Sequence, residues 1–227
     1  MRYLRSIFKE ECPVLDSVKF GMILALVGGF LDAYTYIGRG GIFCNAQTGN
    51  IVLMGVYAGL REWNNALIHI PPIIAFMSGV FCAELIKNTS KKKYSLDWAS
   101  IVILIELISI VIVGFIPGNV SNIPVSIIIS FTSSLQVSSF RKLVDSPYNT
   151  TMSTGNLRSA TQAAYNAITK KDHQSAIRSI RYYLIIISFI SGALIGGVLT
   201  DCIGLHAIWV AGLLLAGGLV LYLVNRT

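Results

Sequence analysis

The chain has 227 residues, of which 54% are hydrophobic and only 13% are charged. A soluble domain would carry about 25% charged residues, so this composition argues against a water-exposed globular protein and indicates an integral membrane protein. The net charge of +7 does not indicate a nucleic-acid partner, because the basic residues lie between apolar segments, as in the loops of membrane proteins.

The chain opens on a charged segment, residues 1–17, and no small-residue cleavage site follows the first apolar run. This pattern predicts a cytoplasmic N-terminal segment before an uncleaved first span. Six apolar runs approach the roughly 20 residues that a helix needs to cross the bilayer core. We place these predicted helices near residues 18–38, 68–87, 98–117, 122–140, 182–200 and 204–224.

Two shorter and more polar stretches, about 47–60 and 153–168, each carry the tripeptide Thr-Gly-Asn. The copies are Thr48-Gly49-Asn50 and Thr154-Gly155-Asn156, which are 106 residues apart (154 − 48). A second pair, Phe76-x-Ser78-Gly79 and Phe189-x-Ser191-Gly192, follows in the same order. The chain therefore reads as two diverged repeats, 18–117 and 118–227, within one membrane domain. Doubled polar motifs in apolar sequence indicate a central site between repeats.

The basic residues predict the topology. If six runs cross and both short stretches return to the side they entered from, 16 of the 18 Lys and Arg residues share one side with both termini. If all eight stretches cross, the division falls to about 11 against 7. Because Lys and Arg favour the cytoplasmic side, we predict six spans with both termini in the cytoplasm.

Three crossings per repeat make the second repeat inverted relative to the first. Each Thr-Gly-Asn motif would then open a re-entrant or broken helix that starts inside the membrane. Such backbone is tolerated there only where protein or a water-filled cavity covers it. In a competing arrangement, residues 42–60 cross fully and 154–168 lie on the cytoplasmic surface, with Arg158, Gln162 and Asn166 as a polar stripe.

The paired motif supplies candidate binding groups. We expect Thr48 and Thr154 at N-cap positions, where a hydroxyl accepts from first-turn amides. Glycine permits close approach of a solute, and asparagine both donates and accepts. Helix N-termini inside the membrane would suit a polar or anionic solute. In the structural alternative, the two asparagines bond each other and close the centre. The candidate solute- or ion-binding residues are Asp32, Gln47, Thr48, Gly49, Asn50, Glu106, Gln136, Thr154, Gly155 and Asn156.

Asp32 lies deep in the first predicted span, and the equivalent place in the second repeat falls near Gln136. A carboxylate in hydrocarbon costs at least about 2.5–3.5 kcal/mol, so it is seldom without a role. Asp32 could bind a proton or cation, or it could cap the amides of the broken helix. Glu106, in the middle of the run 98–117, is a weaker candidate because the last span offers no polar counterpart.

Other features carry less chemistry. The cysteines and histidines show no metal-ligand spacing, and no nucleophile–base set or phosphate loop is visible, so we predict no enzyme, metal or cofactor. Gly55-x-x-x-Gly59 and Gly192-x-x-x-Gly196 predict close helix packing and leave room for a homodimer. The spacing of Glu84 and Lys87, three residues apart, predicts an ion pair between them at the membrane interface.

The segment Gly28-Gly29-Phe30-Leu31-Asp32-Ala33, followed by Gly41-x-Phe43-x-Asn45-x-Gln47-Thr48-Gly49-Asn50, resembles the YoaK-like family of bacterial inner-membrane proteins. The second copy, Thr150-Thr151-Met152-Ser153-Thr154-Gly155-Asn156-Leu157, also resembles that family's pattern. The resemblance covers nearly the whole chain. It implies a six-helix domain in the cytoplasmic membrane, of unknown function and often described as a transporter.

From these observations we predict a transporter or channel for a small polar or ionic solute, with the lipid bilayer as its surroundings and a central site between the repeats. The alternative from another class is a membrane scaffold or accessory protein whose central polar groups bond each other and stay dry.

Overall fold

A computed structural model of the chain describes residues 7–8, 12–93 and 97–225, without the side chains of residues 90–93. Most of the predicted N-terminal segment, Arg226 and the side chains of the lysines at 91–93 lie outside the described residues. The described part is almost entirely helical, which confirms the prediction of an all-α membrane protein.

The described ranges contain nine α-helices and one short β-hairpin. The helices are α1 (Val18–Gly38), α2 (Gln47–Gly59), α3 (Trp63–Leu67), α4 (Ile70–Lys93), α5 (Trp98–Gly114), α6 (Ile123–Ser139), α7 (Ser153–Thr169), α8 (His173–Ile203) and α9 (Ile208–Val224). The hairpin pairs β1 (Lys142–Leu143) with β2 (Ser146–Pro147), and a 3-10 turn at Gly204–Ala207 joins α8 to α9.

Each of the six predicted apolar runs contains a helix, and the two short polar stretches form α2 and α7. Side chains cap three of these helices: Ser17 accepts from the amide of Phe20, Asp97 from that of Ser100, and Asp172 from that of Gln174. Such caps satisfy amides that have no partner within the helix.

Among the described residues, three helical stretches are long and apolar enough, by length and composition, to cross a membrane: Val18–Gly38, Trp63–Thr89 and His173–Val224. The last stretch contains both α8 and α9. Helices α5 and α6 are also apolar but shorter, at 17 residues each.

Glycines bring α1 against α8 and α4 against α6. A methyl group on Gly29 would collide with the carbonyl oxygen of Phe189, and one on Gly192 would collide with that of Leu26. Gly79 meets the carbonyl oxygen of Phe131 in the same way. Backbones that approach this closely leave no space for a side chain, as at small-residue interfaces between membrane helices.

The contacts also give the relative direction of these helices. Leu26 of α1 lies beside Gly192 of α8, and Gly38 lies beside Thr200, so the two helices run parallel. Gly79 of α4 lies beside Phe131 of α6, and Lys87 donates to the carbonyl of Ser138, so this pair is parallel as well.

Two smaller predictions have different outcomes. The ion pair between Lys87 and Glu84 is confirmed, with 3.3 Å between Nζ and Oε1. Close packing is confirmed for Gly192 but is wrong for Gly55 within the described chain, because no atom lies within 4 Å of a methyl group placed there. The reason is that α2 lies at the periphery and buries only Asn50.

Arg39 is fully buried at the end of α5. In the predicted six-span topology, Arg39 and Arg61 are the two basic residues on the outer side. The guanidinium of Arg39 donates to the carbonyl oxygens of Ile116 at 2.7 Å and Pro117 at 3.3 Å, and to the hydroxyl of Tyr34 at 3.2 Å. Carbonyls at a helix C-terminus carry partial negative charge, so they stabilise this cation without a carboxylate.

Candidate functional site

A cavity of about 630 Å³ lies where α1 and α8 meet the N-terminal ends of α2 and α7. Five of the predicted site residues line it: Asp32, Gln47, Thr48, Thr154 and Gly155. The first Thr-Gly-Asn motif and the second, which lie 106 residues apart in the chain (154 − 48), therefore contribute to one cavity.

Asp32 is buried and holds the loop that precedes α2. Its Oδ1 accepts from the backbone amide of Asn45 at 2.9 Å, and the amides of Cys44 and Ala46 also face the carboxylate. The side chain of Asn45 donates in turn to the carbonyl of Gly28 at 2.8 Å. Asp32 therefore fixes the loop before α2, but the amide it bonds belongs to Asn45, which lies outside the helix.

The start of α2 is fixed by its own polar side chains. Asn50 donates to the carbonyl of Phe43 at 2.6 Å and to Oε1 of Gln47 at 2.9 Å. Oδ1 of Asn50 lies 3.2 Å from Nδ1 of His69, whose ring stacks on Tyr57. Asn50 is fully buried and is not among the residues found to line the cavity.

The start of α7 repeats this arrangement. Asn156 donates to the carbonyl of Asn149 at 2.6 Å, seven residues earlier, as Asn50 does to that of Phe43. Oδ1 of Asn156 accepts from the amide of Asn149 at 3.1 Å. Each asparagine thus fastens its own preceding loop, and the expected alternative of a bond between the two asparagines does not occur.

The prediction that Thr48 and Thr154 occupy N-cap positions is wrong. Ala46 and Met152 occupy them, and neither α2 nor α7 has a hydrogen-bonding side-chain cap there. Both helices begin one residue before the threonine, which places each threonine in the first turn. Thr48 and Thr154 are exposed to the cavity.

The remaining predicted residues lie elsewhere. Gly49 packs beneath the ring of Phe43, and Gln136 is buried with its amide 3.4 Å from the carbonyl of Leu24. Glu106 is fully buried in α5, and neither of its carboxyl oxygens has a hydrogen-bond partner in the described part of the chain. None of these three is among the residues found to line the cavity.

The structure adds residues that the sequence analysis did not select. Tyr36 and Phe43 stack with ring centroids 4.8 Å apart and form an aromatic wall together with Phe189. Thr151 also lines the cavity; it is 5% exposed, and its hydroxyl has no partner among the described groups. Phe43 and Thr151 lie within a few residues of the Thr-Gly-Asn motifs, and this proximity was the feature of the sequence that could have identified them.

Over the residues that the structure describes, no group of three or more His, Cys, Asp and Glu side chains could hold a metal ion. The chemistry of the cavity is therefore that of hydrogen-bonding groups, one carboxylate and an aromatic wall.

Comparison with known proteins identifies the wider group to which this sequence is similar. The family described as "Protein of unknown function (DUF1275)" matches residues 20–221. The UPF0700 transmembrane protein YoaK of Bacillus subtilis (strain 168) is 27% identical over 203 residues, covering 86% of this chain and 89% of that protein. No solved structure matches the chain. The predicted resemblance to YoaK-like proteins is confirmed.

Proposed function

We propose a function from the cavity, starting from the fact that the chain belongs to the DUF1275 family, whose function is unknown. The protein carries or conducts a small polar or ionic solute across the bacterial cytoplasmic membrane. The observation that carries this proposal is the meeting of two helix N-termini, from distant parts of the chain, at one cavity that also contains Asp32.

Helix length supports a broken helix rather than a further span at α2, whereas α7 has the same 17 residues as α5 and α6. At about 1.5 Å per residue, the 13 residues of α2 extend roughly 20 Å, which is less than the bilayer core of about 30 Å. First-turn amides without helical partners need polar surroundings at membrane depth, and a solute pathway provides them.

Helix directions agree with six spans in two inverted repeats, and the arrangement with eight crossings gives these two pairs the same directions. In the six-span topology α1 and α8 cross in the same direction, as do α4 and α6, and both pairs are parallel. If only the first short stretch crossed fully, α1 and α8 would be antiparallel. Both close pairs also join a helix of the first repeat to one of the second.

Flux through proteoliposomes tests the proposal. In a cysteine-free background, Thr48→Cys and Thr154→Cys place a thiol in the cavity, whereas Thr169→Cys places one at the exposed C-terminal end of α7. We expect a small methanethiosulfonate reagent to block flux of a conducted solute in the first two variants only. Equal flux before and after modification of both cavity thiols contradicts the proposal.

One observation favours the alternative function of a non-transporting scaffold. Asn50 and Asn156 bond to neighbouring loops, so two prominent polar groups of the motifs are already satisfied. A scaffold would keep the cavity dry. Thiols at positions 48 and 154 that stay unreactive toward every water-soluble reagent would support this alternative.

The remaining expectations belong to the same proposal. We infer no catalytic role, cofactor or nucleic-acid partner, and we place both termini in the cytoplasm. A homodimer has a suitable surface on α2, where Ile51, Val52 and Val56 are exposed beside Gly55 and Gly59.

A further inference from the structure

A single carboxyl group lines the cavity without a basic residue to balance it. Among the described residues that line the cavity, Asp32 is the one acidic side chain, and none is Lys, Arg or His. Arg39, seven residues further along the chain (39 − 32), directs its guanidinium to the carbonyls of Ile116 and Pro117 instead. Asp32 forms no ion pair with any described residue. Because a charge inside a membrane protein is costly unless it is paired, this position suits a positive partner that the chain does not supply.

The hydrogen bonds at Asp32 are all of one kind. Its Oδ1 accepts from the amide of Asn45 at 2.9 Å, and the amides of Cys44 and Ala46 also face the carboxylate. An ionised carboxylate only accepts hydrogen bonds, whereas a protonated one also needs an acceptor for its O–H. These backbone N–H groups therefore match an ionised Asp32.

An aromatic wall lies one helical turn from this carboxylate. Asp32 and Tyr36 both line the cavity and are four residues apart on α1 (36 − 32), a spacing that separates Cβ atoms by roughly 5–6 Å. The ring of Tyr36 stacks on Phe43 with centroids 4.8 Å apart, and Tyr36 is still 50% exposed. Phe189 adds a third ring from α8. Aromatic faces attract cations, and quaternary ammonium groups in particular.

The size and lining of the cavity indicate an organic cation rather than a metal ion. A volume of about 630 Å³ is typical of sites for small organic molecules. The lining residues Ala33, Ile37 and Ala193 offer apolar surface for carbon atoms. Among the residues that the structure describes, no cluster of His, Cys, Asp and Glu could hold a metal ion.

We propose that Asp32 and the ring of Tyr36 bind the ammonium group of a small, singly charged organic cation. The apolar part of this cation packs against Phe43 and Phe189. The inference rests on the proposed function for its physiological meaning, because the cation would be the transported solute, but binding is measurable without transport.

Titration calorimetry on the purified full chain in detergent tests the inference with three probes that share a benzyl group and differ in charge. The probes are benzyltrimethylammonium, benzyl alcohol and phenylacetate. We expect benzyltrimethylammonium to bind at least about tenfold more tightly than benzyl alcohol, because only the cation is attracted by both the carboxylate and the ring faces. Phenylacetate should bind least.

Three results would overturn the inference. They are equal binding of the cation and the alcohol, tighter binding of phenylacetate, and binding of none of the probes. Sodium chloride at the concentration of the probe should leave binding of benzyltrimethylammonium unchanged. Displacement of the probe by sodium would identify an inorganic-ion site and would also contradict the inference.

An isosteric variant tests the role of the carboxylate. Asp32→Asn removes the charge but keeps an oxygen that accepts from the amide of Asn45. We expect at least about tenfold weaker binding of benzyltrimethylammonium. Asp201→Asn, at an exposed position that does not line the cavity, is the matched control and should bind as the unmodified protein does. Equal affinity in the two variants contradicts the assignment of Asp32.

The ring of Tyr36 is tested separately, so the inference stays testable even if Asp32→Asn does not fold. Tyr36→Leu should weaken binding of the cation about three- to tenfold, the effect of one cation–π contact. Tyr36→Phe keeps the aromatic face and should bind nearly as tightly as the unmodified protein. A loss as large in Tyr36→Phe as in Tyr36→Leu, or no loss in either, contradicts the role of the ring.

Binding and flux separate the two proposals. Flux of a solute that persists without preferential binding of benzyltrimethylammonium rejects the cation site alone. Binding of benzyltrimethylammonium by a protein that shows no flux for any tested solute rejects transport alone.

Discussion

Asp32 and Asn45 are joined across the entrance to α2, with Oδ1 of Asp32 2.9 Å from the backbone nitrogen of Asn45. The side chain of Asn45 returns to α1 at the carbonyl of Gly28, 2.8 Å away. Through these two hydrogen bonds, Asn45 attaches the loop before α2 to α1 at two points. Asp32 therefore positions this loop in addition to lining the cavity.

Replacing Asp32 by Ala should destabilise the protein. The substitution removes the oxygen that accepts from the buried amide of Asn45, and leaving such a donor unsatisfied costs about 1–3 kcal/mol. We expect the free energy of unfolding, measured by urea titration in detergent, to fall by roughly this amount. Asp201→Ala, at an exposed position, is the control; equal stability of the two variants contradicts the role.

Arg39→Lys should be more harmful than its conservative chemistry suggests. The guanidinium reaches the carbonyls of Ile116 and Pro117 and the hydroxyl of Tyr34 at once, whereas an ammonium cannot reproduce this planar fork. We expect a loss of about 2 kcal/mol or more in unfolding free energy, because buried partners are left unsatisfied. Arg61→Lys, on an exposed turn, should change stability little in the same titration.

Gly192→Ala should disrupt the α1–α8 contact. Its methyl group would collide with the carbonyl oxygen of Leu26, and overpacking costs about 1–3 kcal/mol. Gly55→Ala should be neutral or stabilising, because the space beside Gly55 is open and alanine favours helix by up to about 1 kcal/mol. Thermal unfolding of both variants checks the difference, and a Gly192→Ala protein as stable as Gly55→Ala would refute the packing.

Thiol labelling should separate the two ends of α8. Cys202 is exposed near the C-terminal end of α8, and the proposed six-span topology would place it outside the cell. We expect a membrane-impermeant maleimide to label Cys202 in intact cells. In a Cys202→Ser background, Lys170→Cys, at the exposed turn before α8, should be labelled only after permeabilisation. Labelling of both positions from the same side would exclude the six-span arrangement.

Much of the fold was predictable because it depends on local patterns. Apolar runs long enough to cross the bilayer mark helices such as α1 and α9, and their bounds were predicted closely. The repeated Thr-Gly-Asn motif also indicated that residues near 48 and 154 belong together, since duplicated polar sequence in an apolar chain is unusual.

The details of the site depended on contacts between distant segments. The sequence could not show that Asn50 and Asn156 bond backward to their own loops, because either could equally have bonded the other. The burial of Arg39 at the end of α5 could not be predicted from the sequence either, because a single arginine after a span is also typical of a water-facing loop.

The sequence by itself determined that this is a helical membrane protein, because hydrophobicity is a property of the chain, and its repeated motifs predicted two related halves. Only the tertiary structure decided which polar groups share a cavity and which are already bonded. The physical reason is that hydrogen bonds act over about 3 Å, so their partners are set by how helices pack and not by distance along the sequence.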